Sequence, residues 1–466
     1  MKILVINVSI RPESPIKLFP VGLGYIITAM KNNGFDFDLI DIDAYRLSDQ
    51  EIKELIGKKE YEVVCMGSIV TGYKIIKSLA AVIKEIHPVA KIIVGNSVAT
   101  SIVDTLLTKT KVDIAVMGEG DTTIIDLLKA IEEPRPLETV QGICFKRDED
   151  IIRNPPRQYI KDISSLPFLN FSLLDIEIYI KNSVLSISDP LPMPRESIRA
   201  LPVNTARGCI SQCTFCYHNF RGMPYRYRST ESIALEIEQL IEKYSLNYIN
   251  FWDDLTFFSK KQILDLISSI QKYKLKFYWA GSCRGNLFKE ESDLDILHKM
   301  KEAGCIGMGY ALESSNQEIL KAMHKNVSVE EFTKQTELFH KAGLVVWTTV
   351  VFGYPMETPS TIRKTFDCCI KNRLYPSSGY LTPQPGSEVY DYAVEHGFIQ
   401  NEEEYLLQIG DRQDLRVNMT KMSNSEFESL IKTGLERVNQ ELGMGLDPTQ
   451  LIKTQYYRSI KKTVNS

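Results

Sequence analysis

Twice along the chain, short runs of aliphatic and β-branched residues alternate with stretches of helical spacing. This rhythm limits the possible folds more than any other feature. In the first run, Lys2–Ser9 (KILVINVS), Phe37–Asp43 (FDLIDID), Val63–Ile69 (VVCMGSI), Lys91–Gly95 (KIIVG) and Asp113–Gly118 (DIAVMG) read as strands. Helical spacing over Pro20–Asn33 stops at Gly34, another helix runs to about Ile86, and a third starts near Thr122. Buried strands alternating with helices predict an α/β fold with a doubly wound parallel sheet. Ligands of such sheets sit beyond the carboxyl ends of the strands. Three of these ends carry small polar or glycine-rich loops: GSIVTG from Gly67, GNSVAT from Gly95 and GEGDTT from Gly118.

The second run has strand-like stretches at Pro202–Ala206, Tyr248–Trp252, Phe277–Gly281, Gly304–Ala311, Val345–Phe352 and Gly379–Pro383. Helices fall between them, for instance over Thr230–Lys243, Lys260–Gln271 and Val329–Lys341. Six strand–helix units predict a partial (β/α)6 barrel, with its chemistry at the carboxyl ends of the strands. Between the two runs, Gly142–Pro156 reads as a hairpin, and the Pro-, Ser- and Asp-rich stretch up to Pro194 reads as an interdomain connection. After Asn401 the pattern is helical and polar, ending in the basic YYRSIKKTV. The expected division is 1–140, a hairpin and linker over 141–198, a barrel over 199–400, and a small helical C-terminal region over 401–466.

A length of 466 residues fits two or three domains, and 44% hydrophobic residues suffice for large cores. The net charge of -4 argues against whole-protein attraction to nucleic acid or anionic membrane. No apolar run reaches the length of a membrane span, and MKILVINVSI has none of the tripartite features of a signal peptide. The cytoplasm is the expected compartment. Disulfides are improbable there, so clustered cysteines point to metal or chemistry.

Such a cluster follows the first barrel strand. Cys209, Cys213 and Cys216 lie within RGCISQCTFCY, with C-x3-C-x2-C spacing. Thiolates suit zinc or iron–sulfur clusters. Structural zinc wants four protein ligands. His218 is only one residue removed from Cys216, which is awkward for shared chelation, and the other cysteines offer no partner knuckle. Three thiolates on a four-iron cluster leave one iron open to a ligand.

The CISQCTFC segment resembles the signature loop of radical S-adenosylmethionine (radical SAM) enzymes, with Phe215 at the motif's aromatic position. FWDDLTFF (251–258), YALESSNQEIL (310–320), VVFGYPMET (350–358) and LTPQPGSEVY (381–390) resemble later barrel motifs of one branch. LFPVGLGYIITAMKNNGFDFDLIDID and DIAVMGEGDTTIIDLL resemble the cobalamin-binding domain fused to the core in that branch. The resemblance covers about residues 1–400. It implies a Rossmann-like cobalamin domain, a [4Fe-4S] cluster on the three cysteines, and S-adenosyl-L-methionine (SAM) cleaved to a 5′-deoxyadenosyl radical. The implied outcome is methyl transfer to an unactivated carbon or to phosphorus in a small-molecule, lipid or peptide substrate, with an electron donor such as flavodoxin or ferredoxin. A radical enzyme of the same build doing cyclisation, rearrangement or carbon–carbon bond formation is one alternative; a zinc-stabilised binding module is another. The chain lacks the Asp-x-His-x-x-Gly motif of other cobalamin proteins, so any cobalamin is expected to have no protein histidine ligand.

Candidate site residues follow, each beside a plainer reading. The resemblance gives Asp253 and Asp254 to the SAM amino group, where a helix cap before Lys260 is the alternative. It places Glu313 and Ser314 near the SAM ribose; Ser314 or Ser315 could instead cap the next helix. Arg284 could neutralise a SAM carboxylate or form a surface ion pair. Ser68 and Thr71 could meet cobalamin or cap the helix after the third strand. Gly95, Gly118, Glu119 and Gly120 fit close approach of backbone to a large ligand, or an ordinary strand-to-helix turn. RGMPYRYRST (221–230) interleaves arginines and tyrosines as RNA binders do, yet it fits packing beside the cysteine loop and a helix capped near Ser229.

Overall fold

The computed structural model describes residues 1–187, 190–410, 412–448 and residue 451. Its first sheet holds β1 (Ile3–Asn7), β2 (Asp38–Asp41), β3 (Val63–Gly67), β4 (Lys91–Gly95), β5 (Ile114–Val116), β6 (Ile143–Arg147) and β7 (Asp150–Arg153), in the order β2-β1-β3-β4-β5-β6-β7. The first five strands are parallel. Both faces are buried: Ile3 and Val5 enter one core, Leu4 and Ile6 the other. Side chains alternate across a strand, so a sheet with helices on both sides needs continuous apolar runs. The strand order reverses between β1 and β3, which places a crevice at their carboxyl ends.

The predicted hairpin forms as β6 and β7, but it does not lie in a linker. β6 pairs antiparallel with β5, Ile114 opposite Phe145, and extends the first sheet. The following segment is also packed. Phe171 and Tyr179 are fully buried against Phe19, and the Tyr179 hydroxyl donates to Asp41 at 2.6 Å.

The second unit contains β8 (Ala200–Val203), the short antiparallel pair β9 (Ala206–Arg207) and β10 (Arg226–Tyr227), then β11 (Tyr248–Phe251), β12 (Tyr278–Ser282), β13 (Cys305–Gly309), β14 (Val345–Trp347), β15 (Thr349–Phe352) and β16 (Ser377–Tyr380). β8, β11, β12, β13 and β14 form a parallel sheet; β15 continues β14 past Thr348 and pairs parallel with β16. Strands β8 and β16 are not paired, so the barrel is open, as the six-unit reading expects. Helices between the strands are capped by local chemistry: Ser259 with Gln262, and Ser328 with Glu331, form reciprocal capping boxes.

The helix Asn424–Glu441 packs on the helix Pro359–Lys371 and beside β16, burying Phe427, Leu435 and Val438. Gly434 permits the contact, since a Cβ there would stand 2.0 Å from the Phe366 ring. YYRSIKKTV lies outside the described residues. Among the described residues no helix is long and apolar enough to cross a membrane.

Candidate functional site

The carboxyl ends of both sheets open into one cavity of about 1000 Å³. The first sheet contributes all three loops singled out in the sequence, through Ser68 and Thr71, Gly95, and Gly118 to Gly120. The barrel contributes Asn204, Arg207, Trp252, Asp253 and Asp254.

The cysteine loop leaves β9 at Gly208, whose φ of 86° is a left-handed conformation suited to glycine. The loop is held by backbone chemistry. Arg221 donates to the carbonyls of Cys213 and Cys216, both at 2.8 Å. The Thr214 amide donates to Met323 O at 3.0 Å, its hydroxyl to Ala322 O at 3.1 Å, and the Val389 amide to Thr214 O at 3.0 Å. Cys213 is buried, and Cys209 and Cys216 are half-buried; all nine cysteines are free thiols. Burial, with Cys213 next in effect, pushes the Cys216 thiol up to about 12, and Cys209 adds to the rise at both Cys213 and Cys216. Among the described residues no three His, Cys, Asp or Glu side chains close around a single ion-sized point. Phe215 packs against the second core.

The two adjacent aspartates separate. Asp253 is half-buried and accepts from Asn204 Nδ2 (3.1 Å), the Thr205 amide and hydroxyl (both 2.8 Å) and the Ala206 amide (3.0 Å). It pins the chain that leads into the cysteine loop, and burial lifts its pKa to about 6. Asp254 turns toward His218, with Oδ2 3.4 Å from Nδ1, and burial raises its pKa while lowering that of His218. Neither caps the next helix, because Ser259 does.

Glu313 is buried at φ 59°, a strained conformation for a residue with a side chain. Lys325 Nζ donates to its Oε1 at 3.1 Å. Ser314 is buried, and the cap of the helix Gln317–Ala322 is Asn316, not Ser314 or Ser315. The Arg284 guanidinium donates to Asn326 O at 3.2 Å.

On the other wall, Ser68 and Thr71 do not cap a helix. The Val70 amide donates instead to Ser97 Oγ at 2.9 Å, and the helix Tyr73–Ile86 has no side-chain cap. Ser68 Oγ is buried with no hydrogen-bond partner. A Cβ on Gly95 would meet nothing within 4 Å. Gly118 has φ 68° and its amide donates to Thr100 Oγ1 at 3.1 Å; a Cβ on Gly120 would crowd Ile26 at 2.8 Å. His87 is buried against Ile56 O, and no histidine lines the cavity among the described residues.

Glu119 points into the seam between the two units. It accepts from Arg207 (2.8 Å) and Arg226 (2.9 Å to each oxygen), while Arg207 also chelates Asp121 at 2.8 and 2.9 Å. All four side chains are about nine-tenths buried or more. The Arg226 guanidinium lies over the rings of Tyr159 and Phe220. Arg228 is buried against Glu236, and Ser229 caps the helix Thr230–Tyr244. The arginines of RGMPYRYRST at 226 and 228 are therefore turned inward. The sequence did not reveal the quartet, since its ion pairs join residues 86 to 107 positions apart.

The profile of the radical SAM superfamily matches residues 203–369, and that of the B12 binding domain matches residues 12–128. The chain carries a radical SAM domain and a B12-binding domain. The chain is 25% identical over 409 residues to an uncharacterized methyltransferase of Pyrococcus horikoshii, covering 86% of this chain and 85% of that one. It is 25% identical over 417 residues to an anaerobic magnesium-protoporphyrin IX monomethyl ester cyclase of Synechocystis, covering 86% and 79%. Its fold is similar to that of the radical SAM methyltransferase TsrM of Kitasatospora setae, solved with cobalamin and a [4Fe-4S] cluster bound. The TM-score is 0.64 at 17% identity, over 85% of this chain and 75% of that one.

Proposed function

We propose that this radical SAM protein is a cobalamin-dependent methyltransferase acting on an unactivated carbon or a phosphorus centre of a small molecule. The observation that carries the reading is the single cavity shared by the strand ends of the B12-binding sheet and the barrel mouth. SAM and cobalamin bound there, with a [4Fe-4S] cluster on the cysteine loop that runs between the lining residues Arg207 and Asn219, would supply the radical and the methyl group.

The residues present fit these groups. Cys209, Cys213 and Cys216 would hold the cluster: a buried thiol pushed up to about 12 becomes a thiolate only beside compensating positive charge, which iron provides. Asp254, not tied up by backbone donors as Asp253 is, would face the SAM amino group. On the cobalamin side, the orphaned Ser68 Oγ lacks a partner that a polar ligand can give, and Gly95 leaves room for close approach. The protein's work is to orient these groups and exclude water. An electron donor such as flavodoxin or ferredoxin completes the proposal.

Replacing Gly95 by valine should weaken cobalamin retention about 5- to 150-fold, the equivalent of about 1–3 kcal/mol of overpacking. Corrinoid absorbance after gel filtration reads this, and iron and sulfide content should stay unchanged.

The reading is tested by anaerobic reconstitution with iron, sulfide, cobalamin, SAM and reductant. Accumulation of both 5′-deoxyadenosine and S-adenosylhomocysteine is the expected result. The nucleoside alone would favour a second reading, cyclisation without methyl transfer, which the similarity to the cyclase supports. Zinc without acid-labile sulfide would sink both.

A further inference from the structure

Three arginines line the shared cavity: Arg11, Arg207 and Arg412. Arg207 is neutralised by Glu119 and Asp121. Arg412 differs. Its guanidinium makes a hydrogen bond to Ser377 Oγ at 3.3 Å, and among the described residues no carboxylate stands within ion-pair distance of it.

Its placement is built into the fold. The Tyr380 amide donates to Arg412 O at 2.7 Å, fixing the backbone to the last barrel strand. The side-chain stem lies over Gly379 in β16. A Cβ at that position would stand 2.9 Å from Arg412 Cγ and 3.0 Å from Cδ, so the absence of a side chain is what admits the stem. Thr382 and Gln384, directly after β16, line the same cavity. A half-buried cation in a low-dielectric cleft is costly unless an anion meets it. A planar guanidinium is best matched by a carboxylate or a phosphoryl group.

We propose that Arg412 receives the anionic group, carboxylate or phosphoryl, of a small-molecule substrate. This rests on the methyltransferase reading for the existence of such a substrate, and it narrows the substrate class to organic anions. SAM's carboxylate and the phosphate of cobalamin are the competing anions, and the test separates them.

Full-length, anaerobically reconstituted protein is titrated calorimetrically with phenylphosphonate, phenylacetate and the neutral benzyl alcohol. At least one anionic probe should bind the unmodified chain and lose about tenfold or more in affinity in Arg412→Gln, the scale of a charge-assisted hydrogen bond. Arg412→Lys should retain part of that affinity. Benzyl alcohol, SAM and cobalamin should bind all forms alike, with iron content and melting midpoint confirming an intact fold. Failure of both anionic probes to bind, equal binding to Arg412→Gln, or a loss of SAM or cobalamin affinity in that variant would overturn the proposal. Release of 5′-deoxyadenosine without substrate is read in parallel. Its absence from the unmodified chain counts against the functional reading, while anion binding reports on Arg412 alone.

Discussion

Cys209→Ala, Cys213→Ala and Cys216→Ala should each abolish the brown iron–sulfide absorption of anaerobically reconstituted protein. 5′-Deoxyadenosine formation should fall by more than about 100-fold, since even the outer partners of metal ligands are commonly worth 10–100-fold. The control is Cys305→Ala. That thiol is buried in the barrel core, 3.6 Å from Gly307 O and outside the loop that Arg221 and Thr214 hold. Its loss should cost a little stability and leave iron, sulfide and nucleoside yields unchanged. Equal loss in all four variants, or retention of the cluster in any loop variant, would refute the assignment of the three thiolates.

The second large effect lies at the seam. Glu119, Asp121, Arg207 and Arg226 sum to zero charge in a buried setting. Arg226→Met leaves one uncompensated negative charge there and should destabilise the protein by about 3–5 kcal/mol. Exposed pairs such as Lys261 with Asp265 are worth about 0.3–0.5 kcal/mol. The midpoint of urea unfolding reads the difference. Adding Glu119→Gln to Arg226→Met restores neutrality and should recover part of the loss. A double variant less stable than Arg226→Met alone would show that shape, not charge balance, governs the seam.

The strand-and-helix rhythm was legible because burial on both faces leaves a continuous apolar run. All five parallel strands of the first sheet lie within the stretches read from it, and every strand of the open barrel overlaps one, although β8 and β16 begin two residues earlier than read and β12 ends one residue later. The three cysteines were legible because their spacing is local. Pairing was not. Nothing in ICFKR says that Phe145 will sit opposite Ile114, since antiparallel register across an intervening helix depends on tertiary packing. The stretch around Phe171 and Tyr179 read as a linker because its polar composition hid two fully buried rings. Caps were ambiguous wherever several small polar residues stood together. Asn316 was chosen over Ser314 and Ser315, and Ser259 over the two aspartates, by backbone angles that composition does not encode. Arg412 carried no motif and lay in a region read only as polar and helical.

That region has a mechanical part as well. A ring of six strands that stops short of closing leaves a bare flank along its last stave. The helix Asn424–Glu441 is braced against that flank, with Phe427 stacked edge-on to Tyr380 and Gly434 notched over Phe366. Prise it away and the rings of Tyr380 and Phe366 lose the cover that Phe427 and Gly434 give them. The tail without a signature is thus the buttress of the last stave, seating its outer rings in an apolar joint.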